Sequence, residues 1–157
     1  AVRAIEDADM IVLGPGSLYT SIMPNLVTDG IAEAVARSDA LRIYVLNIMT
    51  QDGETEGYSA GDHIEALFSN SGEHLFDWCL ANSREIPAEL AERYRAEGAE
   101  PVEIDEEAVY KLGVGLLRAP VAGWKSGYVR HDPDALAREL MRIYRAKSHT
   151  RVYGEEG

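Results

Sequence analysis

Short apolar runs of strand length alternate with helix-spaced apolar positions along the whole chain. Residues 10–13 form the first run, and residues 42–48, rich in Ile, Val and Tyr, form the most β-like one. We predict further strands at residues 75–80, 102–104 and 114–117. Strands that alternate with helices are typical of an α/β domain with a mostly parallel sheet.

Capping residues mark where the intervening helices begin. Thr28 or Asp29 is suited to cap a helix that carries Ile31 and Val35, and Ser59 with Asp62 forms a short capping box. Pro87 is expected in the first position of another helix. Asp105 and Asp132 are predicted N-caps of the last two helices. The opening stretch, residues 1–7, has the pattern of a helix end, and residues 148–157 are predicted to be a polar tail.

Composition and charge narrow the class of protein. The chain has 157 residues, 46% of them hydrophobic, and a formal net charge of −12. It has no run of about 20 apolar residues that could cross a bilayer. An acidic chain of this kind is unsuited to bind a nucleic-acid backbone or an anionic membrane. Cys79 is the single cysteine, so we expect no intramolecular disulfide and a reducing, cytoplasmic setting.

The densest group of polar residues follows the first strand directly. In open α/β sheets ligands bind at the carboxyl ends of strands. Gly14 and Gly16 allow the backbone to approach an anion closely, and Ser17, Thr20 and Ser21 add hydroxyl donors near a predicted helix N-terminus, where a phosphate is favoured. The loop matches neither the Walker pattern nor G-x-G-x-x-G, so a tight Gly-Pro-Gly turn with a polar cap stays open as the alternative.

Three other residues are candidates for the same ligand. Asn47 opens a polar loop after the second strand, which is either part of a shared cleft or a long solvated loop. Arg130 precedes a helix N-terminus and is suited to bind a phosphate with two hydrogen bonds, or it is a surface residue beside an N-cap. Tyr94 either packs in the core or stacks on a base. The four histidines lack zinc-site spacing, so no metal ligands are assigned.

Several of these segments together resemble a known family. They are ADMIVLGPGSLYTSIMPNL at residues 8–26, YVLNIMTQDGETEGYS at residues 44–59, and the shorter stretches Glu92–Tyr94 and Val129–Pro133. In this order they look like the C-terminal half of a gluconeogenesis factor of the YvcK type, within the wider family of the 2-phospho-L-lactate transferase (CofD-like). The resemblance covers nearly the whole chain.

The resemblance implies a Rossmann-like fold that binds a sugar nucleotide of the UDP-N-acetylglucosamine type and regulates carbon metabolism and cell shape. Ser17, Tyr19, Thr20 and Ser21 would then lie at the phosphate pocket with Asn47 nearby. Tyr94 and Arg130 match positions expected to contact the sugar nucleotide. The sister branch suggests an alternative, a transferase that moves a phosphate-linked group from a nucleotide donor to an acceptor.

One family element is missing from the sequence. Members of the family begin with a strand and a glycine-rich turn that receives the nucleotide phosphates, and neither occurs here. We therefore expect residues 1–147 to be the C-terminal part of a CofD-like domain, an incomplete fold by itself. Any Mg²⁺ ligands would lie mainly upstream, and a homodimer is a further expectation.

Overall fold

The fold is built on four parallel strands. A computed structural model describes the backbone of residues 1–154 and the side chains of residues 1–147. The strands are β1 (Met10–Leu13), β2 (Leu41–Val45), β3 (Trp78–Asn82) and β4 (Gly115–Ala119), in the spatial order β1-β2-β3-β4. The pairs Met10 with Leu41 and Trp78 with Gly115 fix the register at the two edges. The predicted α/β class with a mostly parallel sheet is confirmed.

Helices connect the strands and cover both faces of the sheet. They are α1 (Val2–Glu6), a π-helical turn (Leu18–Ile22) continued by α2 (Met23–Leu26), α3 (Ile31–Arg37), α4 (Ala60–Ser71), α5 (Ala88–Ala96), α6 (Glu106–Lys111) and α7 (Pro133–Gly154). A two-stranded antiparallel sheet of β5 (Ala122–Gly123) and β6 (Arg130–His131) follows β4. The sequence analysis did not predict this small sheet.

The core lies on both faces of the sheet because successive residues of a strand point to opposite sides. Ile43 and Tyr44 of β2 are both completely buried. Ile43 packs with Leu80 and with Ile143 of α7, while Tyr44 stacks on Phe76 with ring centroids 5.1 Å apart, under α4. A strand that is buried on both faces explains why residues 42–48 read as a continuous apolar run.

Two of the predicted strands differ from the structure. β3 begins at Trp78, because Leu75 and Phe76 are core residues of the loop before it and are completely buried. The predicted strand at residues 102–104 does not form. Instead Pro101 makes an isolated antiparallel bridge with Met49, and the Val102 N–H donates to the Ile48 carbonyl at 2.9 Å. Residues 99–102 thus run alongside the polar loop that comes after β2, and they are not part of the sheet.

Three of the four predicted N-caps are correct in position, and one is wrong. Ser59 and Asp62 form the expected capping box, and Asp132 accepts the N–H groups of residues 134 and 135. The N-cap of α3 is Gly30, in the left-handed conformation, and not Thr28 or Asp29. Asp105 is the N-cap residue of α6, as predicted, but its side chain makes no capping bond to that helix.

The Asp105 carboxylate caps α4 instead. It accepts the Gly61 N–H and the Ser59 hydroxyl, each at 2.8 Å. A Cβ at residue 61 would lie 2.8 Å from the Asp105 carboxylate and 2.8 Å from the Ala108 side chain. Glycine is therefore required there by the close approach of α4 and α6, although it is a poor helix former.

Helix α7 continues beyond the point where the sequence predicts a polar tail. Its backbone is helical to Gly154, so residues 148–154 extend the helix, and the last three residues of the predicted tail, 155–157, lie outside the described residues. The division of the chain at residue 147 stays a prediction. Among the helices that the structure describes, none has the length and apolar character needed to span a bilayer.

Candidate functional site

A cavity of about 550 Å³ lies at the carboxyl ends of β1 and β2, and we call it cavity A. Because parallel strands all end at the same edge, the loops that follow them meet there. The loops after β1 and β2 form two walls, and the β6 segment and helix α5 close the others. The lining residues are Pro15, Gly16, Ser17, Ser21, Asn47, Ile48, Met49, Thr50, Gln51, Tyr94, Val129, Arg130 and His131.

The first wall depends on a glycine at its base. Gly14 has φ +79°, and a Cβ there would lie 3.0 Å from the Val45 carbonyl oxygen of the neighbouring strand. Only glycine combines this conformation with so close an approach at little cost. The peptide bond to Pro15 is cis, and the chain then enters the helical segment that begins at Leu18. The N-terminal end of that segment therefore lies beside the cavity, with Ser17 and Ser21 on the wall.

Asn47 joins the two walls. Its Oδ1 accepts the Gly16 N–H at 3.2 Å and its Nδ2 donates to the Gly16 carbonyl at 2.8 Å. The side-chain amide thus satisfies both polar groups of one residue in the neighbouring loop, as a paired strand would. The position of the first loop is consequently set by the end of β2.

The second polar loop is ordered by its own hydrogen bonds. Thr50 is buried, its N–H donates to the Glu100 carbonyl at 2.7 Å, and its hydroxyl accepts the Glu100 N–H at 2.9 Å. The buried Thr55 hydroxyl accepts the Gln51 N–H at 2.9 Å. These bonds order residues 50–55, of which Thr50 and Gln51 line the cavity, where the sequence left a solvated loop open.

The β6 segment is the third wall, and it carries the positively charged residue of the cavity, Arg130. Arg130 lies in β6 opposite Gly123, is exposed, and has no hydrogen bond or ion pair from its side chain to any described residue. The Tyr94 hydroxyl accepts the Val129 N–H at 2.9 Å, which holds the backbone immediately before Arg130. No Asp or Glu lines cavity A, so its charge is positive in a chain of net charge −12.

His131 is the one imidazole in the cavity lining. Its Nε2 donates to the Leu46 carbonyl at 3.1 Å, which ties β6 to the end of β2. Burial is the main cause that lowers the pKa of His131 below 6.5, and the bond to Leu46 opposes it. The neutral ring is therefore the favoured form at neutral pH.

The structure brings six of the nine predicted site residues to cavity A and leaves three outside its lining. Gly16, Ser17, Ser21, Asn47, Tyr94 and Arg130 line the cavity. Gly14 sets the conformation at the base of the loop without lining the cavity. Thr20 is exposed to solvent and also lies outside the lining. Tyr19 packs against the core beneath α4, and its hydroxyl lies 2.8 Å from that of Tyr58. That hydrogen bond is the largest cause that raises the pKa of Tyr19 to about 12.

The sequence analysis did not assign seven of the lining residues to the site: Pro15, Ile48, Met49, Thr50, Gln51, Val129 and His131. The short β5–β6 pair brings Val129 and His131 to the cavity. Gly127, with φ +74°, lies in the turn that places residues 130 and 131 opposite residues 123 and 122. Two-residue strands are too short for a period-2 pattern to be read.

A parallel sheet flanked by helices, with the loops after its strands meeting at the carboxyl edge, defines an α/β protein of the Rossmann-like class. Within that class, the model of the family described as 2-phospho-L-lactate transferase CofD matches residues 1–122. The chain belongs to the CofD family.

Relatives at about 40% identity are gluconeogenesis factors. That of Bacillus subtilis (strain 168) is 41% identical over 140 residues, which are 89% of this chain and 44% of the relative. A relative of the same type from Nostoc sp. is 46% identical over 151 residues, 95% of this chain and 33% of the relative. The crystal structure of a UPF0052-family protein from Bacillus halodurans superimposes with a TM-score of 0.85 at 39% identity, over 89% of this chain and 45% of that one. The chain thus spans less than half the length of these relatives.

Removing the Asn47 amide should destabilise the protein. Asn47→Ala leaves the N–H and carbonyl of Gly16 without their partner, and we expect unfolding free energy to fall by about 1–3 kcal/mol in a urea titration. Asn70→Ala is the matched control, because Asn70 is exposed and bonds only to the carbonyl one turn before it. Its effect should stay within about 0.5 kcal/mol. Equal effects of the two substitutions would contradict the role given to Asn47.

Acidification should destabilise the protein through buried histidines. Burial lowers the pKa of His131 and of His63 in the folded state, so the unfolded chain binds more protons. Their stabilising contribution is complete above the unfolded value of about 6.5 and is lost as pH falls below it. His131→Asn should therefore shrink the loss of unfolding free energy between pH 7.5 and 5.5, measured by urea titration. An unchanged loss would show that His131 does not take part.

Proposed function

We propose that this protein binds a sugar nucleotide of the UDP-N-acetylglucosamine type in cavity A and serves as a gluconeogenesis factor that regulates central carbon metabolism and cell shape. The names of its relatives support the gluconeogenesis part. The resemblance supports the ligand and the role in cell shape. The single observation that carries the binding site is the unpaired guanidinium of Arg130 beside the Gly14–Ser21 loop.

The diphosphate is the part of the ligand that Arg130 suits best. A guanidinium offers five N–H donors in a planar fork and forms strong, charge-assisted bonds with phosphate oxygens. The opposite wall adds the hydroxyls of Ser17 and Ser21 and the N-terminal end of the helical segment from Leu18, whose dipole favours an anion. The two walls could therefore hold a phosphate between them.

The sugar and the base would occupy the rest of the cavity. Its volume of about 550 Å³ lies within the usual range for small-molecule sites, about 300–1,000 Å³. The half-buried ring of Tyr94 offers an apolar surface on which a base or a sugar face can stack. Gln51, on the second wall, offers an amide that can bond to sugar hydroxyls or to a base edge.

Loss of the Arg130 charge should weaken binding without unfolding the protein. Arg130→Ala should lower the affinity for UDP-N-acetylglucosamine by at least about 1.5 kcal/mol, more than tenfold, in a calorimetric titration of the natural protein. The melting temperature without ligand should hardly change, because the side chain is exposed and makes no bond to the described residues.

Arg145→Ala is the matched control for this experiment. Arg145 is also an exposed arginine, but it lies on α7 outside the cavity lining, so its removal changes net charge equally and should leave affinity unchanged. If the unaltered protein gives no heat and no thermal shift at millimolar ligand, the proposed ligand is wrong. If both arginine variants bind as tightly as the unaltered protein, Arg130 is not a phosphate contact.

A group-transfer activity is the second candidate, and the description of the matching family model favours it. Transfer of the phosphate-linked group to an acceptor hydroxyl would release the nucleoside monophosphate. Incubating the protein with UDP-N-acetylglucosamine or another substituted nucleoside diphosphate, Mg²⁺ and a panel of acceptors should then give free monophosphate on anion-exchange chromatography. Absence of release across the panel, from protein that binds the donor, would favour the regulatory role.

A further inference from the structure

A second cavity, which we call cavity B, lies beside cavity A at the same edge of the sheet. Its volume is about 450 Å³, and it opens between the segments that follow β2 and β3. Asn47 and Ile48 line both cavities and form the partition between them. The remaining lining residues are Leu46, Asn82, Arg84, Glu85, Ile86, Ala88, Ala91, Arg95, Pro101, Val102 and Ile104.

The charge of cavity B is opposite to that of the whole chain. Arg84 and Arg95 against Glu85 give its lining a net charge of +1, while the chain carries −12. The cavity of about 680 Å³ at the other end of the sheet differs: four acidic residues, Glu6, Asp9, Glu33 and Asp39, outnumber its one arginine. A negatively charged ligand is therefore favoured in cavity B.

Arg95 is available to such a ligand. It is exposed in the last turn of α5, and its side chain has no hydrogen bond or ion pair among the described residues. Arg84 is only partly committed, since Nη1 donates to the Ala122 carbonyl at 3.0 Å and the guanidinium lies 3.9 Å above the Trp124 ring. A guanidinium has five N–H donors, so most of those on Arg84 stay unused.

Both side-chain amides of cavity B are already engaged. The Asn82 amide accepts the N–H groups of Arg84 and Ala122 and donates to the Arg84 carbonyl. The Asn47 amide is paired with Gly16. The lining contains no Ser, Thr or Tyr hydroxyl, and most of it is aliphatic. A phosphate, with three oxygens to satisfy, would find no hydroxyl donor here, unlike in cavity A, whereas a guanidinium alone satisfies a carboxylate.

We propose that cavity B is a second ligand site, which binds a small organic carboxylate with its hydrocarbon part against Ile48, Ile86, Val102 and Ile104 and its carboxylate on Arg95. Apolar walls with a few directed polar groups are the usual composition of a small-molecule site. Because the two cavities share only the partition of Asn47 and Ile48, this ligand lies next to the occupant of cavity A.

Isocaproate and its neutral analogue isocaproamide test the proposal, since they share one hydrocarbon chain and differ in charge. Binding is followed by NMR titration of the natural protein without nucleotide. We expect isocaproate to bind at least about fivefold more tightly than the amide, the effect of one charge-assisted hydrogen bond. Arg95→Gln should remove that preference. Arg145→Gln, on α7 outside both cavities, should preserve it.

Two further measurements separate this site from cavity A. Ala88→Leu adds volume to the exposed rim of cavity B and should weaken both probes while leaving nucleotide affinity unchanged. Saturating UDP-N-acetylglucosamine should change isocaproate affinity by less than about threefold. Equal binding of acid and amide, or full competition by the nucleotide, would overturn the proposal. Failure of nucleotide binding alone would overturn the function proposed for cavity A and leave cavity B intact.

Discussion

The pairing of Asn47 with Gly16 is the interaction on which the candidate site depends. Parallel strands place their loops at one edge but provide no hydrogen bonds between those loops, so each loop needs partners of its own. One amide at the end of β2 supplies both bonds for the loop after β1. The same residue also forms part of the partition between the two cavities. The first wall of cavity A and the partition between the two cavities therefore both depend on Asn47, and a movement of one is coupled to the other.

Charge in this chain is distributed by function. The acidic excess lies outside the helices, in which acidic and basic residues are equal in number, and it keeps the protein apart from anionic surfaces. Arginines with unused donors meet at the carboxyl edge, where Arg130, Arg84 and Arg95 face the two cavities. At the opposite edge the guanidinium of Arg42 is fully engaged: it donates to the Ala36 and His74 carbonyls and pairs with Asp77 at 3.0 Å. At one end of the sheet this arginine is thus fully paired, whereas at the other end arginines keep donors for a ligand.

The sequence predicted the fold class and the first two walls because both rest on local signals. Apolar runs predicted β1 and β2, and the glycines and hydroxyls after β1 predicted a polar loop at the correct edge. Interactions between segments that are far apart in the sequence were not predicted. The Asp105 carboxylate bonds to the start of α4 and not to the helix that Asp105 precedes. Residues 102–104 run beside a loop and do not form a strand. Of the third wall, the sequence predicted only Arg130, because strands of two residues are too short to show an alternating pattern.

Cavity A is assembled from residues 15 to 131, and no single segment contains it. The denatured chain therefore has nothing comparable to offer a ligand, and binding is restricted to the native state. Occupancy must then shift the folding equilibrium by mass action, by about 2.7 kcal/mol when the ligand is at 100 times its dissociation constant. Under the proposed function, the abundance of the nucleotide in the cell would in that way set how long the protein survives proteolysis. Such a link between metabolite level and protein amount requires no conformational switch.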